Sequence, residues 1–248
     1  MTKLLTTAGR RLRSRRILLA VSIVVVAGIA AGGFGLWYIL IGTAGPAAAA
    51  PAIPAGASVP APASFDGSWQ VNGGLGSMSD FSSSWVGYRV QEQLAGVGGH
   101  TAVGRTPKVT GTLTLAGSTV TAVSITADLT VLASDSAQRD DQLRRQAIET
   151  DAFPTTTFVL TQPIALGSLP ADGVTVGATA TGNLTIHGAT KSVQISIQAQ
   201  RQGGIIAVAG SIPIVFGDYA FQGPSSFAVV SVNDHGIMEL HLLFTRGN

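Results

Sequence analysis

The nine residues Val123-Ser124-Ile125-Thr126-Ala127-Asp128-Leu129-Thr130-Val131 put an apolar side chain at every second position and a polar one between. Successive side chains on a strand point to opposite faces. The stretch therefore reads as a strand with Val123, Ile125, Ala127, Leu129 and Val131 buried and Ser124, Thr126, Asp128 and Thr130 outside. The same period recurs along the chain. From Trp85 to Leu94, Val86, Tyr88 and Val90 oppose Arg89 and Gln91, and Val193, Ile195 and Ile197 oppose Gln194, Ser196 and Gln198. Phe158 with Leu160, Leu184 with Ile186, and Met238, Leu240, Leu242 and Phe244 repeat it. Val109 to Leu115, Ile205 to Phe216 and Phe227 to Val232 are further candidates. Gly-Ser, Ala-Asp-Gly, His-Gly, Gln-Gly-Gly and Asn-Asp-His-Gly mark the turns. Together they give about eight or nine antiparallel strands in one all-β domain, residues 65–248, folded as a sandwich or a barrel.

One segment breaks the alternation. Asp135 or Ser136 can cap a short helix with the body Gln138 to Ile148, placing Leu143, Ala147 and Ile148 on one side and most charges on the other. It ends before Phe153-Pro154.

Upstream of the domain the composition changes twice. Residues 17–41 are twenty-five positions without a charge, enough to cross a hydrocarbon core of about 30 Å as a single transmembrane helix. A cleaved secretory signal has an apolar core of only about 7–15 residues, which favours a retained anchor. Lys3, Arg10, Arg11, Arg13, Arg15 and Arg16 precede the span and no base follows it before Arg89, so residues 1–16 are expected in the cytoplasm. Gly28 and Gly32 have GxxxG spacing; glycine is common in spans, so a homodimer is one alternative beside no specific pairing. Residues 42–64 are rich in Ala and Pro and read as a semi-rigid spacer, with a reach of up to about 70 Å in a polyproline-like state.

The net charge of +2 among 248 residues belongs to the N-terminal end: from Asp66 onward nine bases meet thirteen acids. That balance, with 6% aromatic residues, argues against nucleic-acid binding. The absence of cysteine removes disulfides, thiolate metal sites and a cysteine nucleophile. His235 and His241 lack a third ligand, so no metal site is expected. No G-x-S-x-G, P-loop or G-x-G-x-x-G element occurs in a suitable context.

Two stretches resemble the YceI-like family. Ser134-Asp135, Arg139-Asp140 with Leu143, and Phe153-Pro154 followed by Thr157-Phe158 resemble its "RD..L…YP…F" pattern. Gly182-Asn183-Leu184-Thr185-Ile186-His187-Gly188-Ala189-Thr190-Lys191-Ser192-Val193 is similar to its "G.LTLHG.T+PV" hairpin. With Val86 to Val90 and Phe216 to Tyr219 the resemblance covers about Phe81 to Arg246. Ser192 stands where the family usually has Pro and Phe153 where it has Tyr. The segment between Leu94 and Thr110 departs from the family's His-containing strand end.

The resemblance implies an extended, lipocalin-like antiparallel barrel of about eight strands with one short helix, binding polyisoprenoids or related amphiphiles outside the cytoplasm. The lining would come from Val86, Tyr88, Val90, Ile125, Leu129, Phe158, Leu160, Leu184, Ile186, Val193, Ile195, Ile197, Leu240, Leu242 and Phe244. A solid core of the same residues is the alternative. Arg139 and Asp140 read either as a headgroup site or as a pair bracing the helix, and His187 either as a base or as a turn hydrogen-bond donor. The expected protein is thus a bacterial, single-pass, membrane-tethered carrier with its barrel on the extracytoplasmic (periplasmic or extracellular) side, with no catalytic residues and no cofactor. A ligand-free module for envelope assembly or adhesion is the alternative, and a hydrolase using His187 and Asp140 a third.

Overall fold

The computed structural model describes residues 50–96, 98–223 and 229–246. The basic segment, the expected span at residues 17–41 with its GxxxG pair, and residues 42–49 of the expected spacer lie outside them. Among the described residues no helix is long and apolar enough to cross a membrane.

Among the described residues thirteen strands form one antiparallel sheet. They are β1 (Gly67–Val71), β2 (Trp85–Leu94), β3 (Gly98–Thr106), β4 (Val109–Ala116), β5 (Thr119–Asp128), β6 (Ala133–Ser134), β7 (Thr155–Leu160), β8 (Ile164–Ala165), β9 (Thr175–Ile186), β10 (Ala189–Gln202), β11 (Ile205–Val215), β12 (Val229–Val232) and β13 (His235–Arg246). Eight of them close a ring in the order β1, β4, β5, β7, β9, β10, β11, β13, and β13 returns to β1 through Trp69↔Arg246 to Val71↔Phe244. Closure decides between sandwich and barrel, because it leaves no edge along the ring. The other half of β13 pairs with β2, from Ile237↔Arg89 to His241↔Trp85, and β3 extends that wall. Helix α1 (Ala137–Gln142) runs on into a π-helical turn, Leu143–Ala147, and Ser136 caps it by accepting from the Arg139 N–H.

Three expectations change. Strand β5 stops at Asp128 rather than Val131, because Asp128 Oδ1 accepts from both the N–H and the hydroxyl of Thr130 and so turns the chain. Leu129 stays buried past the strand end, and Val131 lies in the turn. The glycine-containing segment after Leu94 is a strand, β3, paired with β2 over its whole length.

The largest correction concerns the spacer. Residues 51–61 do not stand free: they lie along the outer wall of the barrel. Ile53, Ala57 and Val59, together with Leu75, pack on Ile205, Ala207 and Leu243. The Gly204 N–H donates to the Val59 carbonyl at 2.8 Å. A Cβ on Gly204 would lie 2.4 Å from the Pro60 carbonyl oxygen, so a larger residue would push the strap away. His241 Nε2 lies 3.0 Å from the Ala52 carbonyl oxygen and 3.3 Å from its amide nitrogen, while Nδ1 meets the Ser83 carbonyl at 2.9 Å. Residues 51–61 therefore add nothing to the reach of a free tether.

Candidate functional site: the barrel interior

Register fixes which side chains face inward. On β2 and β13, Val86 pairs with Leu240 and Tyr88 with Met238; on β11 and β13, Val208 pairs with Leu242 and Ile206 with Phe244. All of these line interior cavities. The first cavity, of about 140 Å³, is bordered by Val86, Ile125, Phe158, Leu184, Ile195, Ile197, Leu240, Leu242 and Phe244 from the expected lining. Leu113, Leu115, Ile206 and Val208 join them, from strands whose inward faces had not been assigned to a site. The second cavity, of about 110 Å³, lies toward the helix and takes Val86, Tyr88, Val90, Leu129 and Ile186, with Leu143, Ile148, Phe216 and Phe221. Leu160 and Val193 line neither; both are half-buried and packed on the core.

Val86, Thr156 and Met238 border both cavities and so stand between them. An apolar cavity of about 150 Å³ accommodates a benzene ring. The first cavity at rest thus has room for about one ring and the second for a short length of chain. A longer apolar molecule would run through both when Met238, an unbranched side chain with three rotatable bonds, yields. Burying such a chain is favourable by roughly 25 cal/mol per Å² before ordering costs.

Polar groups gather at the helix end. Arg139, 8% exposed, donates to Glu92 Oε1 at 2.8 Å and to Asp135 Oδ1 at 2.5 Å. Burial opposes the guanidinium charge, but the hydrogen bond and charge of Glu92 outweigh it and hold the group above its ordinary range. With two carboxylates on it, Arg139 braces the helix against β2 rather than waiting for a headgroup. Its partner is Glu92, which the sequence pattern did not single out; Asp140 instead accepts from the Ser134 N–H at 2.9 Å.

His187 sits in the two-residue turn between β9 and β10. It and Gly188 both have positive φ, 49° and 73°, as a tight hairpin turn requires. Its ring nitrogens meet Glu149 Oε2 at 2.9 Å and the Tyr219 carbonyl at 3.3 Å, and Phe153 packs on its ring at 4.1 Å. The histidine thus ties the turn to the segment after the helix. His187 and Asp140 are engaged with different partners, and the geometry does not form the dyad that a hydrolase would need. His235 meets Asp234, His241 holds the strap, and no group of three metal-ligating side chains occurs among the described residues.

A further polar cluster lies outside the barrel wall under the chain before β2. The Arg105 guanidinium lies 4.1 Å from the Phe81 ring centre and 4.3 Å from that of Trp85, and Arg89 Nε donates to Glu239 at 2.7 Å. These contacts fasten the covering segment.

The solved structures that share this architecture include a polyisoprenoid binding domain from Saccharophagus degradans implicated in plant cell wall breakdown. It is 15% identical, with a TM-score of 0.52, over 66% of this chain and 94% of that one. BcnA of Burkholderia cenocepacia is 21% identical, with a TM-score of 0.51, over 64% of this chain and 95% of that one. At these identities the likeness is one of fold. No curated protein matches the chain. The sequence model of the YceI-like domain matches residues 79–244, from just before β2 into β13, and the chain belongs to the YceI-like family.

Proposed function

We propose that the protein holds a long-chain isoprenoid or a related amphiphilic lipid inside the barrel and carries or sequesters it by reversible binding, without catalysis. The observation that carries this reading is the pair of adjoining apolar cavities, the first bordered by Phe65, Leu169 and Pro170 among others and the second by Leu132 and Phe221. The polyisoprenoid-binding relative with the same fold supports the ligand class. The uncharged stretch Ile17 to Ile41 after six basic residues supports a single-pass tether in the cytoplasmic membrane with the barrel on the extracytoplasmic side.

The test is an organic extract of the purified full-length protein analysed by mass spectrometry, followed by binding of a prenyl probe. A lipid recovered in near-stoichiometric amount is expected. No lipid together with no probe binding would overturn the reading in favour of a ligand-free module. Ala178→Phe, at a half-buried position on the first cavity, is expected to block binding while the barrel still melts cooperatively. Orientation is read separately. The chain has no cysteine, so Thr190→Cys on the exposed hairpin should react in intact cells with a membrane-impermeant maleimide. Protection until lysis would place the barrel inside.

A further inference from the structure

Tyr88 points into the second cavity from β2, and its ring takes space that Gly104 leaves opposite it. A Cβ on Gly104 would lie 2.4 Å from Tyr88 Cε1. The Tyr88 hydroxyl is buried and has no hydrogen-bond partner. A buried polar group left unpaired is costly, and one in a cavity wall calls for a partner that a bound molecule or an ordered water can supply. Burial pushes the phenol above its ordinary range, so the hydroxyl keeps its proton and can donate. Two inward positions further along β2, past Val90, is Glu92, and directly across from it on β3 is His100. His100 Nε2 is also unpartnered and lies 4.0 Å from Glu92 Oε1.

The charge here is unbalanced. Arg139 supplies one positive charge, and Glu92 and Asp135 both sit on it. Apart from Thr156, the remaining lining, including Ala102, Leu143, Ile214 and Phe216, is apolar. An anionic group brought to this end would meet carboxylates and a guanidinium already occupied; a neutral oxygen that displaced the packing around the buried Tyr88 hydroxyl would meet a donor with no hydrogen-bond partner.

We infer that Tyr88 anchors a neutral oxygen, a hydroxyl or carbonyl, at the polar end of the bound chain, and that Glu92 and Asp135 exclude a phosphorylated end. The inference rests on the lipid-binding reading and names the ligand's polar end, which the apolar cavities leave open.

The experiment measures equilibrium binding of farnesene, farnesol and farnesyl phosphate to the full chain and to its Tyr88→Phe and Glu92→Gln variants. In the wild type, farnesol should bind about threefold to tenfold more tightly than farnesene, the margin of one buried hydrogen bond. Farnesyl phosphate should bind roughly tenfold or more weakly than farnesol. Tyr88→Phe should erase the advantage of farnesol and leave farnesene unchanged, and the unchanged farnesene also reports an intact barrel. Glu92→Gln should narrow the penalty on the phosphate. An unchanged farnesol-to-farnesene ratio in Tyr88→Phe would overturn the anchor while leaving the lipid reading in place. So would an equal loss for both probes, which would mark Tyr88 as structural. Farnesyl phosphate binding the wild type as tightly as farnesol would overturn the exclusion. Failure of all three probes to bind the wild type would overturn both readings together.

Discussion

The inward side chains of β13, Met238, Leu240, Leu242 and Phe244, border open cavity, whereas its outward ones, Glu239, His241, Leu243 and Thr245, lie buried beneath chain from residues 51–84. Both faces of one strand are thus removed from water, for different ends. The outer layer is tied down: Ser84 Oγ donates to the Asn72 carbonyl and accepts from the Leu243 N–H, and Asn72 Nδ2 donates to Thr245 Oγ1. The inner layer keeps empty volume and leaves the Tyr88 hydroxyl and His100 Nε2 without partners. The difference teaches where stability and binding reside. The outer layer can be optimised for packing, because nothing must enter it, while the inner layer gives up packing density to keep room for a ligand.

The largest effect should come where the inner layer is structural after all. Arg139→Ala strands Glu92 as a buried, uncompensated carboxylate and is expected to cost about 3–5 kcal/mol by chemical denaturation. The double variant Arg139→Met/Glu92→Leu removes both charges and should recover most of that loss. If the double variant remains as unstable as the single one, bracing by this pair is wrong and the helix end owes its stability to other contacts.

Next is a direct comparison of the two faces. Leu243→Ala, fully buried in the outer layer, should cost about 2–5 kcal/mol, and Leu240→Ala, half-buried beside existing empty volume, should fall toward the lower end of that range. Equal costs would mean that the inner face is packed as densely as the outer one, and would favour a filled barrel. A smaller loss, about 1–3 kcal/mol, is expected for His241→Ala, which leaves the Ser83 carbonyl without its donor and frees Ala52. Limited proteolysis checks it: cleavage within residues 51–61 should accelerate well before the barrel unfolds.

The alternation of β2, β5, β9, β10 and β13 was legible because each inward face carries a run of apolar residues at every second position, interrupted on β2 by Glu92, and register then carried most of the expected lining to the cavities. Leu160 and Val193 follow the same pattern and still miss the cavities: period two assigns a face of the sheet, not the part of the face that borders empty space. Strand β3 was illegible because glycines 98, 99 and 104 replace the side chains that would have shown a period; at Gly104 the missing side chain is supplied by the Tyr88 ring from the partner strand. The strap was missed for a related reason. Ala, Pro and Gly resemble a solvated spacer, and only Ile53 and Val59 signalled that the segment had a surface to cover. Glu92 carried no motif, since its role depends on Arg139, 47 residues away in sequence.

The smallest effect tests the inner layer by pH. Burial lowers the His100 pKa from its ordinary 6.5, with Glu92 opposing and not overcoming it. Above pH 6.5 the imidazole is neutral both folded and unfolded. Below it the unfolded chain takes up a proton that the folded chain does not, so stability falls with falling pH until the lower folded value is reached. Denaturation midpoints measured between pH 7.5 and 5 should therefore decline, and His100→Gln should flatten the decline. The same slope in His100→Gln would assign the acid sensitivity to other groups.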